Sequence, residues 1–211
     1  QTVNPATTTT ALASSANPST FGQSVTFTAI VSGSLGTPTG AVTFMEGSTT
    51  LGTAALNASG VATLALGSLS AGGHSIIAIY SGSTSYQAST STALSQTVNK
   101  AATTTSLVSS LNPSAYGQSV TFTATVSAGT GVPTGTVTFK DGSTTLGAVT
   151  LDGSGVATYT ASSLSTGSHS ITATYGESSS YLASASSALN QTVNKATTTT
   201  TLTSSANPSA S

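Results

Sequence analysis

The chain repeats itself every 95 residues, with no insertion or deletion to break the register. QTVN begins at Gln1, Gln96 and Gln191. FGQSVTFTA from Phe21 returns as YGQSVTFTA from Tyr116, TPTG from Thr37 as VPTG from Val132, and GGHSI from Gly72 as GSHSI from Gly167. About 60 of 95 aligned positions are identical. Such a chain folds as copies of one unit, and whatever closes the core must fit inside one copy and recur in phase with it. With 211 residues in all, that means two units of ordinary domain size.

Within a copy the apolar residues keep a period of two. Val25, Phe27, Ala29 and Val31 alternate with polar neighbours; so do Val42 and Phe44, and so do His74, Ile76, Ala78 and Tyr80. This is the signature of strands with one buried face. Turn residues punctuate the runs at Asn17-Pro18, Pro38-Thr39-Gly40, Glu46-Gly47, Ser59-Gly60 and Gly72-Gly73. About seven strands follow per copy, near 6–15, 23–32, 40–46, 49–56, 60–66, 73–81 and 87–98. No stretch has a helical period. The expected fold class is all-β, two tandem sandwiches of about seven strands each.

Composition removes whole classes of function. Charged residues are 3% of the chain, with three lysines, no arginine and four acids. Phosphate backbones need several cationic contacts and anionic membranes a polybasic patch, so no nucleic acid and no membrane insertion is expected. Serine and threonine together make about 40% of the chain, which by itself would suit a disordered stalk. The regularly spaced 36% of apolar residues argues for small cores instead, and β-branched threonine suits outward strand positions. There is no cysteine, hence no disulfide and no thiolate metal site.

Several ordered strings carry a family likeness: G-x-H-S-I-x-A-x-Y, then a Ser-rich turn with a second tyrosine (Tyr86, Tyr181), then a last strand ending QTVN. NPS-x-[FY]-GQSVTFTA and P-T-G-x-V-T-F-x-[ED]-G-x-x-x-L-G add to it. Together they resemble the bacterial Ig-like repeat of the group 3 type, over essentially the whole chain. The resemblance implies immunoglobulin-like β-sandwiches in tandem arrays of large secreted or surface-anchored proteins. It implies no catalytic activity and no set of ligand residues. Acids frequent in the Tyr-to-Tyr turn of such repeats are mostly missing from SGSTSY and GESSSY, which argues against a cation there.

The expected organisation is an Ig-like repeat over 5–99 and another over 100–194. Residues 1–4 read as the end of a preceding repeat, and 195–211 as the first strand of a following one or as a strand added to a neighbouring chain. The joints Asn99-Lys100-Ala101 and Asn194-Lys195-Ala196 are short and unlike a flexible tether, so a semi-rigid rod is expected, each module adding about 35–45 Å.

No catalytic, metal or cofactor site emerges. His74 and His169 recur at one repeat position, but a triad needs an acid to orient the imidazole, and the first copy has only Glu46, beside a turn. Both histidines read as structural, bonded to backbone. Asp141, Asp152 and Glu177 fall in separate turns of the second copy, short of the several carboxylates calcium takes. Tyr80 and Tyr175 read either as corner tyrosines bonding backbone or as plain core aromatics.

The copies differ on one outward face. Ala41, Met45, Ile77 and Ile79 of the first are replaced by Thr136, Lys140, Thr172 and Thr174 in the second. Exposed apolar clusters mark contact surfaces, so this face is a candidate for inter-chain contact or a glycan cover. Asn57-Ala58-Ser59 and Asn190-Gln191-Thr192 match the N-glycosylation spacing, and the hydroxyl-rich surface offers O-linked sites. Expected partners are neighbouring repeats and homotypic filament contacts. The favoured function is a structural segment of a long extracellular fibre or adhesin stalk. The alternatives are an adhesin module binding glycan, ice or a host surface through rows such as Thr121, Thr123 and Thr125, and an accessory module of a polysaccharide-active enzyme. With so few titratable groups, behaviour nearly independent of salt and pH is expected.

Overall fold

The computed structural model describes residues 4–205. The chain divides into two compact units: Gln1–Thr104 with Ser127–Pro133 and Gly176–Ser184, and Thr105–Val126 with Thr134–Tyr175 and Ala185–Ser211. Every regular element among the described residues is a strand. In the first copy these are β1 (Thr8–Ser14), β2 (Ser19–Thr20), β3 (Val25–Gly33), β4 (Ala41–Glu46), β5 (Thr49–Ala55), β6 (Val61–Leu66), β7 (Gly72–Tyr80), β8 (Ser89–Thr90) and β9 (Leu94–Asn99). The second copy gives β10 (Thr103–Ser109), β11 (Ser114–Ala115), β12 (Val120–Ala128), β13 (Thr136–Asp141), β14 (Thr144–Thr150), β15 (Val156–Ala161), β16 (Gly167–Tyr175), β17 (Ser184–Ala185) and β18 (Leu189–Asn194).

Each copy packs a three-stranded sheet, β1-β3-β6 or β10-β12-β15, against a six-stranded one. The larger runs β2-β9-β7-β4-β5 with β8 on β7, and β11-β18-β16-β13-β14 with β17 on β16. Nine strands stand where about seven were expected. The span 87–98 splits into β8 and β9, and β2 is new. A two-residue strand has no alternation to detect; β2 exists because Ser19 and Thr20 pair in parallel with Val98 and Asn99. The chain thus leaves the smaller sheet after β1, passes Asn17-Pro18, and joins the larger sheet at β2. Asn17 makes the crossing possible: its Nδ2 donates to the Ser95 carbonyl (2.6 Å) and its Oδ1 accepts from the Thr97 N–H (3.0 Å), as a strand residue's main chain would. Asn112 does the same with Asn190 and Thr192.

The core follows the period of two. Val25, Phe27, Ala29 and Val31 from β3 meet Val42 and Phe44 from β4 and Ile76, Ala78 and Tyr80 from β7, all at most 2% exposed. Fully burying a side chain of this size contributes roughly 1.5–3 kcal/mol. The second copy repeats the set in Val120, Phe122, Ala124, Val126, Val137, Phe139, Ile171, Ala173 and Tyr175. Gly52 lets the end of the Leu64 side chain lie close over β5: a Cβ there would meet Leu64 Cδ1 at 2.7 Å, so that side chain would have to shift.

Residues 195–205 carry no strand. Residues 1–3 and 206–211, parts of the segments assigned to neighbouring repeats, lie outside the described residues.

Candidate functional site

The groups with the most chemistry in each copy are a histidine and an acid. Val42, Phe44 and Glu46 share the inward phase of β4, and His74 and Ile76 share that of β7. Register places Glu46 opposite Ile76, so its carboxylate turns inward beside the imidazole. His74 Nδ1 lies 2.8 Å from Glu46 Oε1, and Nε2 lies 2.8 Å from the Ser70 carbonyl oxygen. In the second copy His169 Nδ1 is 2.6 Å from Asp141 Oδ2 and Nε2 is 2.8 Å from the Ser165 carbonyl. Asp141 Oδ1 also accepts the Ser170 N–H at 3.1 Å. Glu46, placed by the sequence only beside a turn, is thus the acid on the first copy's imidazole, and each histidine bonds an acid as well as the backbone; a signal existed, since His and acid are 28 residues apart in both copies.

This dyad cannot work as a hydrolase triad. A carbonyl only accepts, so Nε2 must donate to Ser70 or Ser165, and no ring nitrogen is left to take a proton from a serine hydroxyl. In the second copy a ring with both N–H groups donating meets the Asp141 carboxylate and the Ser165 carbonyl. The Asp141 hydrogen bond, with the Ser165 carbonyl behind it, raises the His169 pKa above the ordinary histidine value. So the chain does carry a pH-sensitive element, despite its sparse charge.

The other acids are also engaged. Asp152 Oδ1 accepts the Ser154 and Val156 N–H groups at 2.8 and 2.9 Å, and these bonds lower its pKa. Asn57 fills the same place in the first copy, bonding Ser59 and Val61. Glu177 lies 3.5 Å from Lys100 Nζ, an exposed ion pair of little energetic weight. Among the described residues no three of His, Asp and Glu converge as metal ligands.

Two further buried groups act as clamps. Gln96 is 0% exposed. Its Oε1 accepts from Ser14 Oγ (2.6 Å), and its Nε2 donates to the Ala16 carbonyl (2.9 Å), Ser19 Oγ (3.2 Å) and the Thr97 carbonyl (3.1 Å). Gln191 repeats this with Ser109, Leu111, Ser114 and Thr192. The glutamine of QTVN thus ties β9 to β1, to the crossing and to β2, a role the sequence reading did not assign. Tyr80 and Tyr175 combine both roles open to them: the rings are fully buried, and the hydroxyls donate to the Thr39 and Thr134 carbonyls at 2.7 Å.

Of the four residues on the candidate contact face, Met45 pairs directly with Ile77, and Ile79 pairs with Thr43. Ala41 is exposed, while Met45, Ile77 and Ile79 are half-buried, each shielded by its cross-strand neighbours. The row Thr121, Thr123, Thr125 lies half-buried on the outer side of β12 opposite Thr160, Thr158 and Val156, and the Thr121 and Thr160 hydroxyls are 3.1 Å apart.

The sequence profile of the bacterial Ig-like domain (group 3) matches residues 12–99 and again 107–194. The chain belongs to that family. No curated protein matches it. Solved structures similar to these Ig-like modules include the Yersinia pseudotuberculosis adhesin InvE (19% identity over 89% of this chain and 58% of that one, TM-score 0.46). Others are the Clostridium thermocellum CbhA fibronectin(III)-like modules (18%, 88% and 94%, TM-score 0.38) and the Escherichia coli adhesin FdeC (16%, 87% and 63%, TM-score 0.35). In these two group 3 modules, the polar residues of the repeated strings (Asn17, His74, Gln96 and their twins) all bond within their own copy.

Proposed function

We propose that the chain is a structural repeat segment of a long bacterial extracellular or cell-surface protein, giving reach to a fibre or adhesin stalk, and that it performs no catalysis. One observation carries this reading: the inward polar groups of both group 3 modules are satisfied internally, and in the same way. Gln96 and Gln191, His74 and His169, and Tyr80 and Tyr175 each direct their bonding capacity at the module's own backbone or acid. Such groups build a unit that can be copied, and among the described residues they leave no inward donor or nucleophile free. Short joints between copies add to this, because a short joint transmits length.

The test is a series of chains with two, four and eight modules, measured by small-angle X-ray scattering. Reach requires the maximum dimension to grow in proportion to module number, by about 35–45 Å per module. A dimension that rises only with the cube root of mass overturns it. Protease shaving and surface labelling of the producing cells test the location; protein found only inside intact cells overturns that part.

A second reading, a ligand-binding adhesin module, draws on the hydroxyl row of Thr121, Thr123 and Thr125. In the first copy that row is interrupted by Ile30, which is 46% exposed. A glycan array probed with wild type and with Thr123→Val separates the two readings, because a spacer binds no glycan in either form.

A further inference from the structure

In the first unit the opening segment of the module lies along its closing one, and both run the same way. Ala6 bridges Tyr86 in parallel, its N–H donating to the Ser85 carbonyl and its carbonyl accepting the Gln87 N–H, each at 2.8 Å. Further on, Thr8 Oγ1 donates to the Gln87 carbonyl (2.8 Å), and Thr10 Oγ1 lies 2.8 Å from Ser89 Oγ. Ser14 then meets Gln96, and Asn17 holds Ser95 and Thr97. Ser19 and Thr20 pair in parallel with Val98 and Asn99, and the Phe21 N–H donates to the Asn99 carbonyl at 2.8 Å. Partner numbers thus rise together along the whole seam, from 6 beside 86 to 21 beside 99. Because β1 pairs in the smaller sheet and β9 in the larger, side chains supply the middle of this seam.

Parallel alignment decides how the module meets tension. A pull along the chain enters ahead of Ala6 and leaves after Asn99. It draws the first segment back and the last segment forward, so that the two are driven to slide past each other. Bonds lying across that slide are strained together and must break together. An antiparallel pair of first and last segments would instead be loaded at one end and open bond by bond. Gln96 sits mid-seam and is fully buried, so water cannot take over its bonds as they stretch.

We propose that this seam is a clamp against tension, with Asn17 and Gln96 as its central fastenings, and that it keeps the module folded while the chain is pulled from both sides. In the second unit Ser109 on Gln191, Asn112 on Asn190 and Thr192, and the Tyr116 N–H on the Asn194 carbonyl repeat the same fastenings. The inference deepens the stalk reading and rests on it for the source of the tension. The seam itself belongs to the module and is tested without that reading.

The experiment holds the whole chain at constant force in optical tweezers, through pairs of introduced cysteines, since the chain has none of its own. Asn4→Cys with Asn99→Cys pulls the seam lengthwise; Asn4→Cys with Ser85→Cys pulls the same seam apart from one end. All three positions are exposed. The lengthwise lifetime should exceed the end-on lifetime by roughly tenfold or more, because several bonds rather than one must break at once. Asn17→Ala removes two bonds mid-seam and should shorten the lengthwise lifetime by roughly tenfold. It should leave the end-on lifetime near that of wild type, where the bonds of Ala6 give way first. Ser14→Ala, which loses one bond to Gln96, should act in the same direction by a smaller factor. Tyr80→Phe removes a bond away from the seam and should change neither lifetime. Thermal unfolding checks that each variant folds. Equal lifetimes in the two directions overturn the proposal, as does a loss from Asn17→Ala or Ser14→Ala that is the same in both. A lengthwise loss from Tyr80→Phe as large as that from Asn17→Ala overturns it too. Reach is read by scattering without load, so a chain lacking the clamp can still extend, and the two readings fail separately.

Discussion

Ser14 and Gln96 are 82 residues apart in sequence, yet their side chains meet at 2.6 Å, Ser14 Oγ donating to Gln96 Oε1. That bond links the first strand of the module to its last, and Gln96 uses its amide nitrogen to hold the crossing between sheets. Replacing it with leucine keeps the volume but removes four hydrogen bonds, leaving Ser14 Oγ and the Ala16 carbonyl only each other at 3.0 Å and Ser19 Oγ only a long 3.5 Å contact to the Thr97 carbonyl. Burying unsatisfied polar groups costs 1–3 kcal/mol each where water cannot reach them. Gln96→Leu should therefore destabilise its module by about 3 kcal/mol, read as a lowered urea midpoint, and Gln191→Leu should do the same in the second copy.

The Tyr80 hydroxyl makes one bond, to the Thr39 carbonyl, from a ring that is fully buried. Tyr80→Phe removes that bond and leaves the packing. A loss of about 1 kcal/mol is expected, seen in equilibrium unfolding. A loss of the size expected for Gln96→Leu would mean that the ring, not the bond, had moved.

The His169–Asp141 pair makes stability depend on pH in a stated direction. The folded-state pKa of His169 is raised above its value of 6.5 in the unfolded chain. Below pH 6.5 the contribution is therefore fully present, and it is lost as pH rises through the folded pKa. Asp141→Asn should flatten this slope, and the His169 ring shifts followed by NMR should titrate later than those of a free histidine. A ring titrating at or below the ordinary value refutes the assignment.

Asp152 predicts the opposite slope. Its carboxylate, fully exposed, is held below the usual value of 3.8 by the Val156 and Ser154 N–H groups. The contribution is present above pH 3.8 and lost as pH falls through the folded pKa. Asn57 does not titrate in this range. Amide exchange of Ser154 and Val156 should accelerate on acidification relative to Ser59 and Val61, and Asp152→Asn should abolish the difference.

The sequence alone determined the repeat length, the position of the long strands and the side each residue faces. Val25, Phe27, Ala29 and Val31 could only point inward together, because slipping a two-fold pattern by one residue turns the whole set to water. His74 and Glu46 were both visible as residues, and their equal spacing in the two copies held the clue to their pairing. Their meeting was decided by the register of β4 against β7, which no local pattern encodes. The same holds for Gln96 and Asn17, whose partners lie about 80 residues away in sequence, and for β2, which exists only by pairing with β9. Periodicity is a property of neighbouring residues and survives without a fold. Where a buried polar group finds its partner depends on which distant strands lie side by side, and only the closed sandwich settles that.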